Sequence, residues 1–155
     1  MSGSHFSAQQ AQVGKFKIRA LRDASFALDG GAMFGVVPRA LWQKLTPVFD
    51  DNTIPCATNP FLIECGEHVI VVETGLGRRW NEKQRSMFHI DYSQGHCLVE
   101  SLAAAGVNPE DVTHCLLSHA HWDHAGAACD ADGKPMFPNA EYWLDEVELE
   151  ASLQA

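Results

Sequence analysis

The run Ser118-His119-Ala120-His121-Trp122-Asp123-His124-Ala125-Gly126 places four metal-binding side chains, His119, His121, Asp123 and His124, within six residues. Three imidazoles and a carboxylate have no packing reason to crowd together, so the pattern points to a metal. Zinc, iron, manganese and cobalt all accept these donors, and the cluster does not select among them. Residues 113–118, just before it, read as a buried strand. The cluster is therefore predicted at the C-terminal end of a strand, where α/β sheets hold their ligands. His119 and His121, two apart as a strand ends, should project to one side. Asp123 and His124 lie where the chain must turn, and the small residues Ala125, Gly126, Ala127 and Ala128 let a helix start close by. Trp122 is predicted to pack behind the loop.

The flanking pattern is α/β. Residues 15–21 alternate, with Phe16, Ile18 and Ala20 on one face and Lys15, Lys17 and Arg19 on the other, which predicts a half-buried strand. Residues 24–28 are predicted as its partner, closed by the turn Asp29-Gly30-Gly31. Residues 38–42 read as a short helix opened by Pro38. Residues 61–65 and 68–73 read as a hairpin about Gly66-Glu67. Val69, Ile70, Val71 and Val72 form a continuous apolar run, which predicts a central strand covered on both sides. The glycine-rich Thr74-Gly75-Leu76-Gly77 follows as a tight exit. A helix is predicted over residues 95–105, with Leu98, Leu102 and Ala105 on one stripe and Gly106 as its stop. Asn108-Pro109-Glu110-Asp111 reads as a capped helical turn, and residues 140–144 as a strand. Asp145 and Glu148 read as the capping box of a last helix. Strands come first as hairpins and then alternate with helices, so helices should pack on a sheet.

Composition excludes more than it assigns. The 155 residues are 46% hydrophobic and 20% charged, enough for one globular domain or part of one. A net charge of -9 with no basic run argues against nucleic acid and against anionic membranes. Residues 1–14 are small and polar, with no apolar core of a signal peptide or anchor, and are read as a disordered tail. The domain proper is read over residues 15–155. Five cysteines without a C-x-x-C pair favour reduced thiols and a cytoplasmic setting. Cys65 and Cys115 fall on predicted strands, where thiols are usually inert. His114 is read as a core or edge histidine, and His5, His68, His89 and His96 as solvated surface.

The H-x-H-x-D-H run resembles the signature of the metallo-β-lactamase superfamily. The run Val69-Ile70-Val71-Val72-Glu73-Thr74-Gly75 is similar to that family's apolar strand ending in Asp-Thr-Gly, with Glu73 in place of the usual aspartate. The run Gly31-Ala32-Met33-Phe34-Gly35-Val36-Val37-Pro38 resembles the entry segment of its lactonase-like members, which open N-acyl homoserine lactones. The resemblance implies an αβ/βα sandwich, a mixed sheet with helices on its outer face, of which this chain supplies the N-terminal half. It also implies two divalent metals, zinc by default with iron or manganese as alternatives. His119 and His121 would bind the first ion, and Asp123 and His124 the second. Asp123 would also orient the attacking hydroxide as the catalytic residue. The substrate would be a small acyl compound, a lactone or ester. A glyoxalase II-type thioester hydrolase shares the cluster, and a non-catalytic remnant or interaction module is the third reading.

The resemblance also calls for a third histidine on the first metal, a bridging aspartate and a final histidine. No histidine follows His124, and Asp130, Asp132 and Asp145 lie in no such context. The chain stops at Ala155 within what reads as a helix, so a fragment that binds metal weakly and turns over little is expected. An uncovered sheet face built from Phe61, Ile63, Val69, Val71 and Leu117 is expected as well, open to a homodimer. Met33, Phe34 and Trp42 are candidates to line an acyl pocket.

Overall fold

A computed structural model describes residues 9–92, 97–130 and 132–154. In chain order the strands are β1 (Gln10–Val13), β2 (Phe16–Ala20), β3 (Ser25–Asp29), β4 (Thr53–Ala57), β5 (Phe61–Cys65), β6 (His68–Val72), β7 (His114–Leu116) and β8 (Glu141–Trp143). The helices are α1 (Gly30–Phe34), α2 (Arg39–Trp42), α3 (Glu82–Met87), α4 (Leu98–Ala104), α5 (Trp122–Ala125) and α6 (Glu146–Gln154). A 3-10 turn, Pro109–Asp111, follows α4, with Asn108 at its cap.

One sheet runs β1-β2-β5-β6-β7-β8, and β3 with β4 forms a separate two-stranded ribbon. The first three pairings of the large sheet are antiparallel and the last two parallel. This is the mixed sheet expected. Its hairpin turns at Gly66-Glu67 as read, with Cys65 opposite His68. Helix α4 begins later than expected, at Leu98, and residues 95 and 96 of that expectation, His96 among them, lie outside the described residues. Leu98 and Leu102 of α4 are fully buried against Leu62, Val71 and Cys115 of the sheet, with Val112 and Phe137 beside them. Among the described residues no helix is long and apolar enough to cross a membrane.

Four expectations need correction. Within the tail expected over residues 1–14, Gln10–Val13 is a strand, paired with β2 across the tight turn Gly14-Lys15; residues 1–8 lie outside the described residues. The partner of β3 is β4 rather than β2. Asp29 does not close a hairpin; it caps α1, its carboxylate accepting from the Ala32 N–H at 2.8 Å. The uncovered face also has a different membership. Phe61 faces Val72 and Ile63 faces Ile70, because a two-residue turn pairs odd positions of β5 with even positions of β6. Val69, Val71 and Leu117 thus point to the helices, and β6 is central but covered on that one side.

The turn into β4 carries a pH prediction. The Asp51 carboxylate accepts from the Thr53 hydroxyl and N–H and faces His89 at 2.8 Å. These contacts hold its pKa down at about 2, from an ordinary 3.8. A carboxylate depressed by folding stabilises fully above its unfolded pKa, and loses that contribution as pH falls through the folded value. Asp51→Asn is therefore expected to flatten the loss of thermal stability between about pH 4 and pH 2. Melting curves for both proteins across that window check it; parallel curves would rule the contact out.

Candidate metal centre

The four clustered residues converge, and the backbone explains how. The parallel pairing of β6 and β7 brings their C-terminal ends side by side, and the Glu73 N–H donates to the Leu116 carbonyl at 2.9 Å. The chain then leaves β7 through Ser118. The Ser118 hydroxyl lies 2.8 Å from His119 Nδ1, which turns Nε2 of that ring outward. His121 is the N-cap of α5, its carbonyl accepting from the N–H groups of His124 and Ala125. Helix α5 thus starts one residue before Asp123 and holds both Asp123 and His124, where the sequence had suggested a turn before the helix.

The distances sort the cluster into two pairs. His119 Nε2 lies 3.1 Å from His121 Nδ1. Two nitrogens bound to one tetrahedral zinc at 2.0–2.1 Å would be about 3.3 Å apart, so this pair has the spacing of two donors to one ion. His124 Nε2 lies 3.5 Å from Asp123 Oδ2, close to the same measure. The rings of His119 and His124 are 4.0 Å apart, so the pairs adjoin. Among the described residues no three His, Cys, Asp or Glu side chains form a single set for one ion. The donor chemistry fits divalent metal, two donors at a time.

Beneath the pairs lies a support that the sequence reading only half saw. Glu73 Oε1 accepts from the Ser118 N–H at 3.1 Å, and Oε2 faces His124 Nδ1 at 3.4 Å. The longer glutamate therefore spans both halves of the cluster. Its backbone sits at φ +66°, a conformation that non-glycine residues adopt at a cost, and one that recurs at functional sites. The His124 carbonyl accepts three hydrogen bonds, from the Thr74 N–H and hydroxyl and from the Gly75 N–H. Gly75 and Gly77 adopt positive φ, and a side chain at Gly77 would strike the Gly126 carbonyl at 2.6 Å. The glycines permit α5 to be pressed onto the loop after β6.

Asp23, which the sequence gave no reason to single out, anchors that loop from behind. Its buried carboxylate accepts from the N–H groups of Leu76 (2.7 Å) and Leu98 (3.2 Å) and from the Thr58 hydroxyl. Burial, the largest influence, pushes its pKa up despite these donors. Trp122 packs as expected, edge-on to Phe26 and Trp80 and tilted on Phe88. A small cleft of about 110 Å³ beside Asp123 and His124 is lined by Phe26, Ala57, Thr58, Pro60 and Glu73. Met33, Phe34 and Trp42 take no part in it. Trp42 is buried under Gly30 with Phe34 stacked on it, so it packs the ribbon's tip. Met33 is exposed. His114 opens the inner strand β7 between Ile70 and Glu141 and is half-buried, with Nδ1 on the Thr113 hydroxyl at 2.8 Å.

Residues 53–153 match the family model of the metallo-beta-lactamase superfamily, and the chain belongs to that superfamily. It is 29% identical over 101 residues to an N-acyl homoserine lactonase of Bacillus cereus, a match covering 59% of this chain and 38% of the relative. A solved structure described as a probable metal-dependent hydrolase from Staphylococcus aureus superposes with a TM-score of 0.87 at 31% identity, over 93% of this chain and 52% of that one. AidC, described as a dizinc quorum-quenching lactonase, superposes with a TM-score of 0.69 at 27% identity, over 96% of this chain and 48% of its own. The chain thus spans about a third of the curated lactonases it matches and about half of these solved structures.

Proposed function

We propose that this chain contributes the His119–His121 and Asp123–His124 pairs to a two-metal hydrolase that opens a lactone or a related acyl ester. The observation that carries the reading is the spacing of the two pairs, set side by side at the end of a parallel strand. Zinc ions, or iron or manganese in their place, would supply a water ionised near neutral pH and a Lewis acid for the carbonyl. The residues present do the rest. Ser118 fixes the His119 ring so that Nε2 stays available, and Glu73 backs His124 from the Nδ1 side. Asp123, half-buried at the mouth of the cleft, is placed to hold the attacking water's proton on its carboxylate and return it to the leaving alkoxide. Lactonases among the chain's relatives favour a lactone over the thioester of a glyoxalase II-type enzyme.

Catalytic zinc sites use three protein ligands, and each pair here offers two. The 155 residues alone are therefore proposed to bind metal weakly and to turn over little, with further donors supplied by polypeptide outside them. Free cysteines among the described residues suit a reducing compartment such as the cytoplasm.

The test is a zinc titration of the chain and of His121→Ala, followed by assays of a complete domain carrying this N-terminal sequence. Zinc affinity should fall at least tenfold in the variant, and the complete domain should open acyl homoserine lactones faster than it cleaves acyl-glutathione thioesters. Unchanged affinity would remove the site, and a thioester preference would remove the lactonase.

A further inference from the structure

Asp23 lies beyond β2, outside the metal cluster, and no step of the proposed hydrolysis uses it. Yet it is a carboxylate only 2% exposed, and a core holds such a group only where donors close on it. Three do, from three parts of the chain. Oδ2 takes the Leu76 N–H and the Thr58 hydroxyl, and Oδ1 takes the Leu98 N–H. Oδ2 also lies against Gly75, where a Cβ would stand 2.3 Å from it. The loop after β6 is thus gripped from two sides. Asp23 holds it at Leu76, while the Thr74 and Gly75 N–H groups hold the His124 carbonyl at 2.8 and 3.1 Å. Glu73, next before them, reaches the Ser118 N–H and His124 Nδ1. The cleft beside Asp123 and His124 is held differently. Its wall residues Thr58 and Pro60 are tied to residues 21–24 through the backbone. The Asp23 N–H donates to the Thr58 carbonyl, the Thr58 N–H to the Ala24 carbonyl and the Leu21 N–H to the Pro60 carbonyl. Of the two walls, only the metal-side loop depends on the carboxylate.

We propose that Asp23 is a positioning residue for the metal centre, its carboxylate fixing residues 73–77 so that Glu73 and the His124 carbonyl stay seated on each other's elements. The proposal rests on the metal-centre reading above. Asp23 touches none of the four clustered residues and acts through the loop alone. Its grip on Leu76 requires an acceptor at Oδ2, and its grip on Leu98 a second acceptor at Oδ1, so a carboxylate is the one small side chain that satisfies both. The two substitutions at this position therefore separate. Asp23→Ala removes both acceptors. Asp23→Asn keeps an oxygen where Oδ2 stands, for Leu76 and Thr58, and turns an NH2 onto the Leu98 N–H.

Zinc titrations of the chain at one neutral pH test it. Affinity should fall about tenfold or more in Asp23→Ala and return to within about threefold of the parent in Asp23→Asn. In a complete domain carrying this N-terminal sequence, Asp23→Ala should lower kcat about tenfold and leave KM within about twofold, because the cleft wall keeps its backbone bonds. A general loss of packing would produce neither the rescue nor the split. The metal-free chain supplies a readout that needs neither zinc nor substrate. The Leu76 amide proton, bonded to a carboxylate, should resonate downfield, move upfield in Asp23→Ala and stay low-field in Asp23→Asn. Should Asp23→Ala fail to fold, amide exchange in the parent decides, with Thr74, Gly75 and Leu76 expected to open as one group. Parent-like zinc affinity in Asp23→Ala, an equal loss in both variants, a rise in KM without a fall in kcat, an unmoved Leu76 resonance, or Leu76 exchanging well ahead of Thr74 and Gly75 would each overturn the proposal. A parent that binds no zinc, or a complete domain that opens no lactone, would instead remove the metal-centre reading, and the Leu76 resonance and exchange would still decide whether Asp23 holds the loop.

Discussion

Gly126→Ala is expected to destabilise the chain by about 3 kcal/mol, the upper end of what overpacking costs, and to lower its melting temperature by roughly 10 °C. A Cβ at this position would lie 2.2 Å from the Trp122 carbonyl oxygen, 2.5 Å from that of Leu76 and 2.8 Å from the Leu76 carbonyl carbon. All three obstacles are backbone, so no side chain can rotate away. The Leu76 contacts yield only if α5 moves off that loop, which would pull the His124 carbonyl from Thr74 and Gly75 and carry Asp123 and His124 with it, and the Trp122 contact yields only if the last turn of α5 distorts. Gly133→Ala is the control. Its backbone lies at φ +78°, yet nothing stands within 4 Å, so it should cost about 1 kcal/mol from conformation alone. Thermal melts of both variants decide the matter. A Gly126 variant no worse than the Gly133 variant would mean that α5 is not held by this contact.

What the sequence showed plainly was local. The alternation around Phe16, Ile18 and Ala20, the two-residue turn at Gly66-Glu67 and the stripe Leu98–Leu102 each depend on near neighbours, and each stands in the structure. The His/Asp cluster was legible for the same reason. Pairings across long loops were not. Strand β4 carries Pro55 and Cys56 and reads poorly as a strand; a two-stranded ribbon tolerates that proline, which sits opposite Ala27. Helix α3 was missed although Asn81 and Gln84 form a reciprocal capping box, a signal present in the sequence. The uncovered face was misassigned because periodicity gives alternation within one strand, while the register between strands decides which residues share a face. Asp23 had no signal. A carboxylate between two apolar runs reads as surface until the N–H groups of Leu76 and Leu98 are seen to close on it.

Glu73→Gln is expected to weaken zinc binding 10- to 100-fold while leaving stability within about 1 kcal/mol of the parent. The side chain keeps its length, and its amide oxygen can still accept from the Ser118 N–H. What changes is the group facing His124 Nδ1. A carboxylate oxygen there favours the proton on Nδ1 and leaves the lone pair on Nε2, the nitrogen that looks toward Asp123. An amide NH2 in its place favours the opposite tautomer, with Nε2 protonated and unable to bind metal. Glu73→Ala, by contrast, should lose both metal affinity and roughly 1–3 kcal/mol of stability, because the Ser118 N–H then loses its acceptor and His124 Nδ1 its neighbouring carboxylate. Nitrogen NMR of His124 separates the two causes, since a tautomer change moves the Nδ1 and Nε2 resonances in opposite directions and a packing defect does not. If Glu73→Gln binds zinc as the parent does, Glu73 props the loop without tuning the ligand, and the methylene that distinguishes it from aspartate serves only to reach Ser118.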